Sequence, residues 1–350
     1  MAKDRYVAYV GTYTHENSVG IHVYDVDVEN GTLTERSVAP INNPSYIVRS
    51  KSGKLLYSIE DEGVASFSID ENGDLTQINS EWIGGMRGCH IEVDSKDRYL
   101  FVSGYHDGKI TMMKLNKDGS IGGISCGIFH NGVSKSAVEK RMDPAVSCSR
   151  LTPDEKYLLV CDCGLSQVKV YQVDYELGKL QLIDMIRFSI DKAPRKLRFS
   201  RDGKFLYVMA EGANAVYVFS YKDSEEGPVF ERIQKVSCIK DEDPMAACVG
   251  FDQDFADKYA YVSIDGTNMI TVLSRDAKTG FMEFEQSFPV SGEYPKSVSV
   301  IPGDKYIVSL NHDTDEMRVF EIFHNKKYAL QRVAPIKVDK PNSIQIYKLV

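Results

Sequence analysis

Two residues of opposite charge, Arg195 and Glu211, stand near the ends of the stretch 193–211, APRKLRFSRDGKFLYVMAE. A carboxylate can accept a proton, and a guanidinium can meet a developing oxyanion with paired N–H donors. Brought together, the two could run general acid–base chemistry on a polar substrate. The residues between them read as a turn proline, a strand, a tight charged turn and a second strand. The chain must therefore double back on itself before guanidinium and carboxylate can meet.

The same layout recurs along the sequence. NPSYIVRSKSGKLLYSIE (43–60), RGCHIEVDSKDRYLFVSGY (87–105), DPAVSCSRLTPDEKYLLVCD (143–162) and YPKSVSVIPGDKYIVSLN (294–311) align with 193–211, and a degraded copy covers 243–265. Pro44, Pro144, Pro194, Pro244, Pro295 and Pro341 open the units, with Gly88 in place of proline in the second; from Pro144 the spacings are 50, 50, 51 and 46 residues. Each unit adds a third β-branched or aromatic run, such as NAVYVFSY (214–221), and then a turn and a fourth strand signal. Four strands in a unit of this length is the pattern of a β-propeller blade. Six full units leave the N-terminal strands (5–39) and the C-terminal NSIQIYKLV (342–350) unpartnered. Joined, these supply three outer strands and one inner strand. The expectation is an all-β fold, a single domain over 1–350 with seven blades of four antiparallel strands, closed by both termini in one blade and free of open sheet edges.

In such a ring the innermost strands line a central channel. The residue after each unit proline (Ser45, Cys89, Ala145, Arg195, Met245, Lys296, Asn342) and the residue ending each second strand (Glu60, Tyr105, Asp162, Glu211, Asp265, Asn311, with Thr12) should lie near its mouth. With His90 and His106 close by, cations and carboxylates converge on one concavity, the setting in which pKa values shift and proton transfer becomes possible. Arg195, Glu211, Lys296 and His90 are the functional candidates. Glu60, Tyr105, Asp162, Asn311 and His106 are candidates for substrate contacts or for holding channel water. The competing reading of Arg195 and Glu211 is a structural ion pair. His15, His22, His130 and His324 fall on turns or outer strands and read as solvated.

Several function classes drop out on composition. The net charge of −8 disfavours a general nucleic-acid or anionic-membrane partner. The start, MAKDRYVAYVGTYT, lacks a secretory pattern, and no apolar run approaches bilayer length. The seven cysteines are scattered without ligand spacing, which reads as buried reduced thiols in a cytoplasmic protein and not as a metal site. No P-loop or HExxH is present, nor a GxSxG elbow or dinucleotide fingerprint set after a strand and before a helix, and with Trp82 as the sole tryptophan no Trp-Asp ends a blade. The segment 127–142, GIFHNGVSKSAVEKRM, is long and basic and reads either as a lid over an anionic ligand or as a solvated loop.

The ordered set YVGTYT (9–14), GIHVYDVD (20–27), NPSYIVRS (43–50), GCHIEVD (88–94) and APRKLRFSRDGKFLYVMAE (193–211) resembles the lactonase family of seven-bladed propellers, over about residues 5–350. That family includes propeller-type 6-phosphogluconolactonases and carboxy-muconate lactonizing enzymes. The resemblance implies metal-independent hydrolysis of a sugar lactone, most often 6-phosphoglucono-1,5-lactone, with no cofactor. It also implies that Arg195 and Glu211 belong to the active site. The chain departs from the family pattern at Pro144-Ala145-Val146-Ser147, where Pro-His-x-His is usual, at Ala247-Cys248, and at Asp265 in place of an arginine. For lactone hydrolysis the side-chain chemistry suggests Glu211 as the general base, Arg195 as the oxyanion partner, and Lys296 with His90 as the holder of an anionic substituent. The implied partner is a small anionic sugar lactone, bound by a monomer or weak homodimer. A lactonizing enzyme using the same base and a non-catalytic binding propeller are the alternatives.

Overall fold

The computed structural model describes residues 4–131 and 143–349. Residues 132–142, most of the long basic segment, lie outside that range. The described part of this segment is ordinary blade: 127–129 end the strand Ile121–Phe129, and His130 follows it. Among the described residues every regular element but one 3₁₀ turn, Glu211–Ala213, is a β-strand, and no helix there is long and apolar enough to cross a membrane.

The strands form seven antiparallel sheets. Six are runs of consecutive strands, each starting from the innermost: Ile47–Arg49, His90–Val93, Val146–Leu151, Pro194–Phe199, Ala247–Gln253 and Pro295–Val300. The seventh takes its inner strand, Pro341–Lys348, from the C-terminal part and its outer three, Tyr6–Thr12, Gly20–Asp27 and Thr32–Pro40, from the N-terminal part. The sixth sheet carries one addition, a short strand Ile336–Lys337 paired to Glu316–Phe323.

The strand character follows from the residues. Second strands such as Tyr157–Asp162 and Phe205–Ala210 are buried at every position, because both faces meet a neighbouring blade; they accordingly read as unbroken apolar runs. Fourth strands such as Lys179–Arg187 form the rim and are mostly exposed. The turns between first and second strands share one geometry. Gly53, Asp97, Glu155, Gly203, Asp257 and Asp304 all have positive φ, and each donates its N–H to the carbonyl three residues earlier. Glycine takes that conformation freely and aspartate at modest cost, so the charged turn motif and the hairpin have one cause.

The core consists of seven clusters, each shared by two adjacent blades. The cluster of Val7, Tyr9, Ile21, Ile47, Leu56 and Phe67 joins the terminal blade to the first, and that of Val10, Ile344, Tyr306 and Val308 joins it to the sixth. Each innermost strand touches the next around the whole circle. The ring is closed, and its axis is the hole that the innermost strands enclose.

Candidate active site

Side chains reach the mouth of this hole through a repeated irregularity. In five blades the inner strand carries one residue more than its partner near its start, and the extra residues are Ser147, Arg195, Val249, Lys296 and Asn342. A β-bulge bends its strand and re-aims the unpaired side chain. Here it breaks the alternation of faces, so that Arg195 and Lys196, though adjacent in sequence, both line the axial cavity. In four blades the residue before the opening proline is left-handed: Asn43 (φ 48°), Ala193 (φ 47°), Tyr294 (φ 52°) and Lys340 (φ 45°). For a tyrosine this is a strained conformation, held by an N–H bond to Asn268 Oδ1 at 3.0 Å.

The cavity has a volume of about 600 Å³, enough for a phosphorylated sugar. Arg195, Lys296, Tyr13, Tyr105 and Tyr294 are among the residues lining it, together with Lys196, His90, Tyr46, Arg150 and Arg198. Arg195 Nη1 donates to Glu211 Oε2 at 2.5 Å, and both side chains are partly exposed. Burial disfavours the Arg195 cation. The Glu211 carboxylate, the Cys163 thiol and the hydrogen bond outweigh it and raise its pKa above the usual guanidinium value.

Two further arginines are matched, Arg150 with Glu92 at 2.7 Å and Arg198 with Asp252 at 2.8 Å. Lys196 and Lys296 are not: among the described residues neither ammonium has a carboxylate within 4.0 Å. Aromatic faces stand beside them instead, Tyr46 at 5.2 Å from Lys196 Nζ, and Tyr13 at 4.6 Å and Tyr294 at 5.4 Å from Lys296 Nζ. Burial, together with the positive Arg195, lowers both pKa values, that of Lys296 to about 8. The cavity thus holds two uncompensated ammonium groups inside a protein of net charge −8.

The expected residues divide on their placement. Arg195, Lys296, Tyr105, His90 and His106 line the cavity, and Glu211 reaches its rim by bonding Arg195. Tyr105 is exposed with its ring edge-on to His106, and burial raises the pKa of its phenol. His90 contributes to the cavity from a covered position. It is buried in the wall, with Nδ1 accepting from the Ser149 N–H at 3.4 Å and Nε2 lying 3.5 Å from Cys148 Sγ. Burial and the neighbouring Lys196, Arg150 and Arg198 hold its pKa well below the usual histidine value, so the ring is neutral and both its nitrogens face blade three.

Glu60, Asp162 and Asn311 do not line the cavity. Asp162 is fully buried, accepting from the Ala145 and Leu165 N–H groups at 2.9 and 3.0 Å and meeting His130 Nδ1 at 2.7 Å. Asn311 accepts from Ser309 and donates to Glu316, and Glu60 accepts from Ser80 on its blade's outer strand. His130, expected on the surface, is only 4% exposed; its Nε2 lies 3.1 Å from the Tyr171 hydroxyl. His22 and His324 are also partly covered and face Glu35 and Glu285, whereas His15 is exposed. Ala145 and Met245 do not take the channel positions either, because the bulges fall two and four residues later, at Ser147 and Val249. Asp162→Ala would orphan two buried N–H groups. We expect a loss of roughly 3 kcal/mol in urea unfolding, with turnover changed less than about threefold because the cavity is untouched.

Lys196, Arg150, Arg198, Tyr13, Tyr46 and Tyr294 were not anticipated. Lys196 and Arg198 stand two apart on an inner strand, so alternation alone puts them on one face. Among the described residues no cluster of three His, Cys, Asp or Glu side chains is placed to hold a metal ion.

Comparison with known proteins bears on this arrangement. Residues 7–346 match the model of the family described as Lactonase, 7-bladed beta-propeller. The chain is 29% identical to a 6-phosphogluconolactonase of Bacillus subtilis over 326 residues, 91% of each chain. A proposed 6-phosphogluconolactonase of Bacteroides fragilis superposes with a TM-score of 0.89 at 26% identity, covering 99% of this chain and 98% of its own. A periplasmic gluconolactonase of Pseudomonas aeruginosa shares the fold with a TM-score of 0.89 at 23% identity, over 99% and 100% of the two chains.

Proposed function

We propose, from the premise that this chain belongs to the lactonase family of seven-bladed β-propellers and is a lactone-hydrolysing enzyme, that its axial cavity opens 6-phosphoglucono-1,5-lactone to 6-phosphogluconate. The observation that carries the choice of a phosphorylated substrate is the pair of unmatched ammonium groups, Lys196 and Lys296, beside the Arg195–Glu211 pair. A phosphate monoester brings close to two negative charges at neutral pH, which would neutralise the two ammonium groups that no carboxylate answers.

In this mechanism Glu211 accepts a proton from water through Oε1, the oxygen not bound to Arg195. The water oxygen bonds to the lactone carbonyl carbon, and remaining N–H groups of Arg195 stabilise the oxyanion. The ring C–O bond then breaks, and the proton held by Glu211 passes to the departing ring oxygen. One carboxylate thus serves as base and then as acid, and no external proton is required. His90, neutral and held by blade three, shapes the wall and takes no part in proton transfer. The seven cysteines are all free thiols, which supports a reducing cytoplasmic location for this chain.

The test compares phosphorylated and unphosphorylated lactone by proton release above the spontaneous rate. Replacing Lys296 or Lys196 by Met should raise KM for the phosphorylated lactone roughly 10–10²-fold, the worth of a hydrogen bond to a charged group, with little effect on the initial rate with δ-gluconolactone. Equal losses on both substrates would remove the phosphate assignment. Since a Lys296 pKa of about 8 belongs to the free enzyme, kcat/KM for the phosphorylated lactone should also fall as pH rises through that value.

A further inference from the structure

The side chain of Lys296 has surroundings that a phosphate-binding cation alone does not require. It sits on the bulge at the channel mouth, where it is re-aimed out of the sheet. Tyr13 and Tyr294 flank it, and the charged or titrating groups around it are Arg195 and Lys196 of blade four, Arg87, and Asp313 and His312 of blade six. Three of these are cations and His312 is held neutral by burial; Asp313 is the one carboxylate among them, and its charge works against the lowering without cancelling it. A lysine desolvated among other cations carries a share of free amine at neutral pH, which makes it a nucleophile. Arg195, the group placed to receive a carbonyl oxyanion, lies in the same cavity.

We propose that Lys296 is a self-acylation site, at which an unphosphorylated aldonolactone is captured as a stable amide. This rests on the reading of the cavity as a lactone site. The neutral ε-amine attacks the carbonyl carbon and Arg195 steadies the tetrahedral oxyanion. The ring C–O bond breaks as the N–C bond is completed, and the proton lost from nitrogen ends on the ring oxygen. Lactone and lysine are the only reactants, and the product is an open-chain polyhydroxy amide. The phosphorylated lactone behaves differently, because its phosphate pairs with Lys296 and keeps it as an ammonium ion, which cannot attack. The phosphate group therefore decides whether capture competes with turnover, and a sugar lactone lacking it inactivates the enzyme.

With a pKa near 8, Lys296 holds on the order of 10² times more free amine at pH 7 than an ordinary exposed lysine. The experiment incubates the whole protein briefly with δ-gluconolactone, or with its 6-phosphate, over about pH 6–9. Adducts are then mapped by peptide mass spectrometry, and hydrolysis is followed in parallel. The expected result is one gluconoyl adduct at Lys296, formed ahead of those on exposed lysines, with a rate that levels off above pH about 8. Activity is lost in step with the adduct, and the 6-phosphate gives none. Lys296→Arg, which keeps the charge without the nucleophile, removes both the adduct and the inactivation. Hydrolysis with adducts scattered over exposed lysines, or placed on Lys196, overturns the acylation proposal and leaves the lactonase reading intact. Absence of both hydrolysis and adduct overturns both.

Discussion

Glu211→Gln should lower kcat on 6-phosphoglucono-1,5-lactone by about 10²–10⁴-fold while KM stays within a few-fold. Glutamine has the same shape and can still meet Arg195 Nη1, so the ring, the cavity and the cation count are preserved. What it lacks is a basic oxygen to take the proton from water and return it to the leaving ring oxygen. Stopped-flow proton release, corrected for spontaneous opening, gives the split between kcat and KM. A glutamine variant within about threefold of the wild-type rate would show that another group moves the proton. Tyr105 and Tyr294 would then be the next to replace, being cavity residues whose phenols feel both Arg195 and Glu211.

Arg195→Ala should cost at least as much, about 10²–10³-fold in kcat for the lost oxyanion partner. A further loss is expected because Glu211 then has no fixed orientation. The more telling variant is Arg195→Lys. Lysine restores the charge but not the planar set of N–H groups needed to hold Glu211 and stabilise a carbonyl oxygen at the same time. Recovery of less than about a tenth of the lost rate would mark geometry as the requirement. Full recovery by lysine would reduce Arg195 to a source of positive potential, and the mechanism above would fail.

The architecture was legible because each blade repeats the same solution to the same burial problem. Prolines or their substitutes open the inner strands, left-handed turn residues join them to the second strands, and a second strand buried on both faces must be apolar throughout. The meeting of Arg195 and Glu211 was legible for the same reason, since a hairpin returns the end of the second strand to the start of the first. The positions that misled did so for two physical reasons. Asp162, Asn311 and Glu60 occupy the same place in their blades as Glu211, but the short side chains of Asp162 and Asn311 fold back on nearby groups of their own blades, as aspartate and asparagine readily do. Glu60 is drawn outward to Ser80. Glu211 opens a 3₁₀ turn found at no other blade among the described residues, and its extra methylene carries the carboxylate across to Arg195. The bulges were not legible. One additional residue in a strand changes no composition and no proline spacing, yet it turned Lys196 into the cavity beside Arg195 and moved the channel positions to Ser147 and Val249.

The blade closed by both ends of the chain has a consequence for biosynthesis. The strand 341–348 emerges from the ribosome after every other described strand, and it alone completes one wall of the cavity, with Asn342, Gln345 and Tyr347. A nascent chain that has already made Arg195, Glu211 and Lys296 therefore has reactive groups but no enclosed chamber. Catalytic competence arrives in a single event, when this strand docks and the circle locks.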